Sequence, residues 1–159
     1  MAKEYYRRRL PHWRADEAIY FVTWRLGQAQ PDLNPSERDL VTSALRHFEG
    51  KRYQVMASVV MNDQVHALLT TVEPYRLEDV IHSWKSFTAN RMQRDHGRRG
   101  QVWQEEYFDR VVRDEKEFAQ KFDYIQGNPW ARWPQVETYN WVWPMDRGRR
   151  AGTPALLTV

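Results

Sequence analysis

The chain predicts an α+β fold in which an antiparallel sheet carries helices packed mainly on one face. Three observations lead there. Segments dense in β-branched and aromatic residues alternate with segments of helical spacing, in the order strand, helix, strand, strand, helix, strand, helix. A short three-residue turn joins the second strand to the third, which makes that pair a hairpin and therefore antiparallel. The first six elements then fit a split βαβ, or ferredoxin-like, plan, and the seventh is an extra C-terminal helix that carries a tyrosine, Tyr124.

Each element has a local reason. "AIYFVTWRL", Ala18 to Leu26, has the density of branched and aromatic residues typical of a strand. Gly27, Pro31 and Pro35 break that pattern. Asn34 is placed as an N-cap, with Pro35 at the first helical position and Glu37 three residues after the cap, so a helix runs to about Glu49. Its apolar face takes Leu40, Val41 or Ala44, Leu45 and Phe48. "YQVMASVVM" and "QVHALLTTV" form the hairpin around "MND". The second helix carries Leu77, Val80 or Ile81, Trp84 and Phe87 or Thr88 at helical spacing, and Gly97 ends it. "RRGQVWQEE" reads as a polar connection and "YFDRVVR" as a short strand. A third helix starts at Asp114, whose side chain can cap it, passes Phe118, Phe122 and Ile125, and should stop at Gly127, Asn128 and Pro129. The remaining tail has several prolines and little periodicity, so it is expected to lie over the domain or hang free. Residues 1–144 are expected to be a single domain with a basic N-terminal arm, and 145–159 a flexible tail.

Composition bounds the function. The 159 residues include no cysteine, which removes disulfides, thiolate zinc sites and cysteine nucleophiles. No apolar run approaches the roughly 18 residues of a membrane span, and "MAKEYYRRRLPHW" lacks the apolar core of a signal peptide, so a cytoplasmic protein with no membrane partner is expected. Net charge is +3 with a pI near 9.3. The basic residues are mostly arginine and cluster in "YYRRRLPHWR", "NRMQRDHGRR" and "MDRGRR", beside an unusual abundance of aromatics that includes eight Trp. Guanidinium beside flat rings suits nucleic acid, by pairing with phosphate and stacking on unpaired bases; the alternative is a solvated surface over a tryptophan-rich core.

Two constellations carry chemistry. On the strand "QVHALL", alternation sends Gln64, His66 and Leu68 to one face, and Val65 and Leu69 to the other, where helices are expected. An imidazole nitrogen and an amide oxygen about 7 Å apart along a strand could converge on a divalent ion such as Mg²⁺ or Mn²⁺, or could be ordinary polar residues. On the last helix, "FDYIQGNP" places Tyr124 and Asn128 one turn apart on one face. Tyr124 could extend the packing surface of Phe118, Phe122 and Ile125, or act as a nucleophile on phosphorus.

Taken together, "MNDQVHALL", "WKSFTANR" and "VWQEEYFDRVVRDEKEFAQKFDYIQGNP", with the opening "RRRLPHWRADEAIYFVTWRL", resemble the REP-associated tyrosine transposases of the single-tyrosine HUH superfamily, from about Arg7 to Trp143. The resemblance implies metal-dependent cleavage and joining of single-stranded DNA beside palindromic hairpins, through a 5′-phosphotyrosine intermediate. It puts Tyr124 at the nucleophile, Gln64 and His66 at the paired-histidine positions, and Asn128 at the amide that helps hold Mg²⁺ or Mn²⁺. The partners it implies are single-stranded DNA and DNA hairpins, with the protein a monomer or homodimer. The departure lies in "MNDQVH", where Gln64 replaces the first histidine and Asn62 the turn proline, so a hairpin-binding protein that no longer cuts is the alternative. Expected DNA contacts are Arg7, Arg8, Arg9, His12 and Arg14 in the arm, Lys85 and Arg91 on the second helix, Arg98 and Arg99 in a loop, and Trp103 as a stacking platform or a core residue. His47, His82 and His96 read as surface or capping residues.

Overall fold

The structure, a computed structural model, describes residues 17–145. The arm bearing Arg7, Arg8, Arg9, His12 and Arg14, and the tail from 146 onward, lie outside the described residues. Eight elements follow one another: β1 (Ile19–Leu26), α1 (Pro35–His47), β2 (Tyr53–Val60), β3 (Gln64–Thr71), α2 (Leu77–Asp95), β4 (Trp103–Val112), α3 (Glu115–Arg132) and β5 (Val142–Trp143). The sheet order is β4-β1-β3-β2-β5 and every neighbouring pair is antiparallel. Because β3 slots between β1 and β2, the two βα units interleave as the ferredoxin-like plan requires.

Period-two alternation divides the core in two. Val22, Trp24, Leu26, Val65, Ala67 and Leu69 face α1 and α2, where they meet Val41, Leu45, Ile81, Trp84 and Met92. Ile19, Phe21, Ala57, Val59 and Leu68 face the other way and meet Phe118, Phe122 and Ile125 of α3. Two helices thus share one face and the tyrosine-bearing helix covers the other. Each of these fully buried α3 side chains is worth about 1.5–3 kcal/mol by removal from water, so α3 is held firmly where it lies.

The capping box forms as the sequence suggests. The Glu37 N–H donates to Asn34 Oδ1 at 2.8 Å, and the Asn34 N–H to Glu37 Oε1 at 3.0 Å. Glu37 also has a second partner. Gly97, at φ +70°, ends α2 in the left-handed region that glycine adopts without strain, and the chain turns Arg98 inward. Arg98 Nε and Nη2 grip the Glu37 carboxylate at 2.6 and 2.8 Å, and its remaining N–H groups bind Gln30 Oε1 and the carbonyls of Pro31 and Asp32. A buried guanidinium with all these partners fastens the loop after β1 to the end of α2.

Two boundaries differ from expectation, and the tail takes one of its two expected courses. β4 begins at Trp103, four residues before the expected strand, because the Trp103 ring is buried and its Nε1–H donates to Thr88 Oγ1 at 2.9 Å. α3 runs through Gly127, Asn128 and Pro129 to Arg132. Proline costs the bond to the Ile125 carbonyl, but burial of Trp130, whose Nε1–H donates to Val136 O, holds the last turn in place. The segment expected to lie over the domain or hang free docks as far as Met145: β5 pairs with β2, and the Tyr139 hydroxyl donates to Val60 O at 2.6 Å.

Burial pushes the Glu37 carboxyl up, but the Arg98 and Asn34 hydrogen bonds and the charges of Arg98 and His96 outweigh it and hold the group below its ordinary 4.5. Its contribution to stability is therefore complete above the unfolded-state value and drains away as pH falls through the lower folded one. Arg98→Met, which strands that carboxylate, should cost about 3–5 kcal/mol in urea unfolding at neutral pH; a cost below about 1 kcal/mol would mean the pair does not hold the loop.

Candidate active site on the α3 face of the sheet

The register places the site. β1 and β3 pair Thr23 with His66 and Arg25 with Gln64, and β1 and β4 pair Thr23 with Phe108. All five side chains stand on the α3 face, the same face as Phe21 and Leu68. His66 is almost fully buried, and its Nδ1 lies 2.7 Å from Thr23 Oγ1. Its Nε2 is buried and has no hydrogen-bond partner among the described residues. In the tautomer with the proton on Nδ1, donating to Thr23, Nε2 is left with a bare lone pair.

Tyr124 comes to this point from α3. Its ring stands edge-on to the His66 imidazole with centroids 5.2 Å apart, and edge-on to Phe21 at 6.1 Å. Phe21 in turn lies parallel to the imidazole at 6.0 Å. Half of the tyrosine remains exposed, so the ring touches the imidazole and Phe21 and still meets solvent. Burial, and then the charges of Arg25 and Arg132, hold the His66 imidazole down at about 4. It is neutral at physiological pH, and a neutral imidazole is a ligand or hydrogen-bond acceptor, where an imidazolium would be neither.

Gln64 is buried too, and its Oε1 accepts a hydrogen bond from Arg25 Nη1 at 2.5 Å. An amide oxygen has two lone pairs, so one remains. Asn128 sits half-buried one turn beyond Tyr124, and its side-chain amide makes no hydrogen bond among the described residues. No group of three His, Cys, Asp or Glu residues gathers among the described residues. What the face offers is one unpartnered imidazole nitrogen, with the Gln64 amide on the same strand face and Asn128 one turn beyond Tyr124. That set fits a hard divalent ion such as Mg²⁺ or Mn²⁺ better than a soft one.

The other expected contacts fare unevenly. Arg98 and Trp103 are corrections: the first is buried in its bond to Glu37, the second in the α1/α2 core, so neither can reach a phosphate or a base. Lys85 donates its Nζ to the carbonyls of Gln104 and Glu105, bracing α2 to β4, and burial lowers its pKa. Arg91 pairs with Asp95 at 2.9 Å. Both belong to α2, across the sheet from Tyr124. Arg99 is exposed. Sequence reasoning passed over Thr23, Arg25 and Arg132. Alternation along "FVTWR" already put Phe21, Thr23 and Arg25 on one face, but which residues they meet is a matter of register.

Comparisons with known proteins agree with this architecture. The profile of the family described as "Transposase IS200 like" matches residues 32–128, well over half of the chain, and the chain belongs to that family. The structure of a REP-associated tyrosine transposase bound to a REP hairpin superposes with a TM-score of 0.64 at 16% identity, over 84% of this chain and 82% of that one. A candidate transposase from Deinococcus radiodurans R1 gives 0.54 at 23% identity, over 74% and 97%. At these identities the two structures share the fold. An uncharacterised Haemophilus influenzae protein is 45% identical over 38 residues, a match that spans 24% of this chain and only 21% of that relative. No helix among the described residues is long and apolar enough to cross a membrane.

Since the tyrosine ring is half-exposed and its edge contacts survive loss of the hydroxyl, Tyr124→Phe should change unfolding free energy by no more than about 0.5 kcal/mol. A loss of several kcal/mol would reassign the phenol to a structural role.

Proposed function

We propose that the chain cleaves and rejoins single-stranded DNA beside hairpins of the REP-like palindromic kind, by transesterification through Tyr124. The observation that carries this reading is a half-exposed phenol held against a buried, neutral imidazole whose outer nitrogen has no partner. Membership of the IS200-like transposases supports DNA as the substrate, and the hairpin bound by the structural neighbour supports the substrate class.

In the step proposed, the phenolic oxygen of Tyr124 bonds to phosphorus as the P–O3′ bond breaks. The phenol gives up its proton and the departing 3′-oxygen takes one, so neither water nor an energy source is consumed and the reverse reaction joins strands. A phenol's ordinary pKa near 10 means the attacking oxygen needs positive charge close by. His66 Nε2, the free lone pair of Gln64 Oε1 and the Asn128 amide would hold Mg²⁺ or Mn²⁺, which when bound supplies that charge and neutralises the non-bridging oxygens. Thr23 fixes the imidazole plane through Nδ1, as an outer partner of a ligating histidine does. Phe21, stacked on the imidazole and edge-on to the tyrosine, fixes the distance between them. The arginine-rich arm (Arg7, Arg8, Arg9, His12 and Arg14) and exposed Arg99 are the proposed hairpin contacts.

One observation favours a second reading, a hairpin-binding protein that no longer cuts: the Gln64 oxygen is already bonded to a guanidinium. Incubation with a hairpin-flanked single-stranded oligonucleotide and Mn²⁺ or Mg²⁺ separates the two on a denaturing gel. Wild type should give a protein–DNA adduct, and Tyr124→Phe none, while hairpin affinity stays nearly unchanged. An adduct that persists without the phenol removes Tyr124 from its role; no wild-type adduct with either ion leaves the binding protein.

A further inference from the structure

α3 does not cover the whole of its face of the sheet. It lies along β3 and β2, where Phe118, Phe122 and Ile125 meet Ala57, Val59 and Leu68. The outer strip, made by the edge strand β4 and the Arg25 end of β1, is exposed, whereas Ile19, Phe21 and Thr23 of β1 are buried. A large apolar side chain stands on it in water: Phe108 is 55% exposed, directly across from Thr23, with its ring edge-on to Phe21 at 6.3 Å. Two residues along β1 from Thr23 is Arg25, also exposed, whose guanidinium is anchored through Nη1 to Gln64 and keeps its other N–H groups for another partner. Lys121 Nζ closes the opposite side, 5.0 Å from the Phe21 ring centre.

Each neighbouring charge has a place. Arg110, next to Phe108 on this face, is ion-paired with Glu117, which Arg113 also approaches. Glu106, two residues before Phe108 on β4, is exposed toward the Arg25 end, so a phosphate there would be drawn to β1 rather than to β4. The strip therefore offers a flat ring in water, with cations at both ends and the tyrosine alongside. An apolar protein segment would match the ring but leave Arg25 and Lys121 unanswered. A single strand of DNA, with a base for the ring and a phosphate for the guanidinium, answers all of them.

The geometry points to this strip as the seat of the nucleotide that flanks the reacting phosphate, with Phe108 stacking on its base and Arg25 holding a phosphate of the same strand. Gln64 then has a duty besides any ion: it orients the guanidinium that binds the strand. The inference rests on Tyr124 as the nucleophile only for which nucleotide is seated, not for whether one is.

The test is binding to an unpaired oligonucleotide without a hairpin, measured on the full chain carrying Tyr124→Phe so that no strand is cut. Phe108→Ala should weaken binding roughly tenfold or more, Phe108→Leu should be as weak, and Phe108→Trp should restore it. Arg25→Met should reduce the slope of log affinity against log salt by about 0.7, and Arg25→Lys should keep it. A 2-aminopurine base placed beside the cleavage site should lose fluorescence on binding, and should keep it with Phe108→Ala. Phe108 is exposed, so its variants should melt close to the parent, while Arg25→Met, which strands the buried Gln64 oxygen, should melt lower but still cooperatively; both results confirm folding. Parent-like affinity and slope in Phe108→Ala and Arg25→Met, or no binding of the oligonucleotide by the parent, would overturn the strip. Wild type that forms no adduct while the variants still lose single-strand affinity would instead sink the transesterase reading and leave the strip standing.

Discussion

The contact on which the site depends is the one between Thr23 Oγ1 and His66 Nδ1 across the β1–β3 ladder. An imidazole this deeply buried must satisfy its nitrogens or carry a penalty of order 1–3 kcal/mol for each one stranded. Thr23 satisfies one, the other has no hydrogen-bond partner among the described residues, and the Tyr124 ring of α3 stands 5.2 Å from the imidazole. That neighbour is there because of packing. Phe118, Phe122 and Ile125 bury one side of α3 against β2 and β3, and the helical period then delivers Tyr124 to the imidazole. Register and helix phase together turn Thr23, His66 and Tyr124 into one arrangement.

Electrostatics completes it. Burial alone would keep His66 neutral, and the charges of Arg25 and Arg132 reinforce the effect. Those same cations lend the face the positive potential that a phosphodiester needs. Gln64 fits this setting. A second imidazole beside Arg25 would have to turn a lone pair toward the guanidinium or repel it when protonated, whereas an amide oxygen accepts the Arg25 N–H and still has a lone pair to offer. Positive charge near the phenol is thus partly built into the chain.

Much of this could be read in the sequence, where short-range rules govern. The Asn34–Glu37 capping box, the "MND" hairpin turn and the facing of Gln64 and His66 away from Val65 follow from local periodicity, and all are present. Long-range competition hid the rest. Trp103 and Arg98 look like nucleic-acid residues in a basic, aromatic stretch, yet Thr88 and Glu37, distant in sequence, claim them for the interior. Gly127, Asn128 and Pro129 carry every local signal of a helix end, and burial of Trp130 overrides it. Arg25 and Thr23 were invisible as site residues because only the strand register says what they face.

The spatial core of this account is that an ion entering the site meets His66 and the Tyr124 ring together. Paramagnetic Mn²⁺ tests it directly when titrated into the protein at substoichiometric levels, with histidine and tyrosine ring signals followed by NMR. The expected result is that His66 and Tyr124 broaden first and in parallel, ahead of exposed His47, and that excess Mg²⁺ sharpens them again. Broadening that begins at other residues while those two rings stay sharp would contradict an ion site at the foot of the phenol.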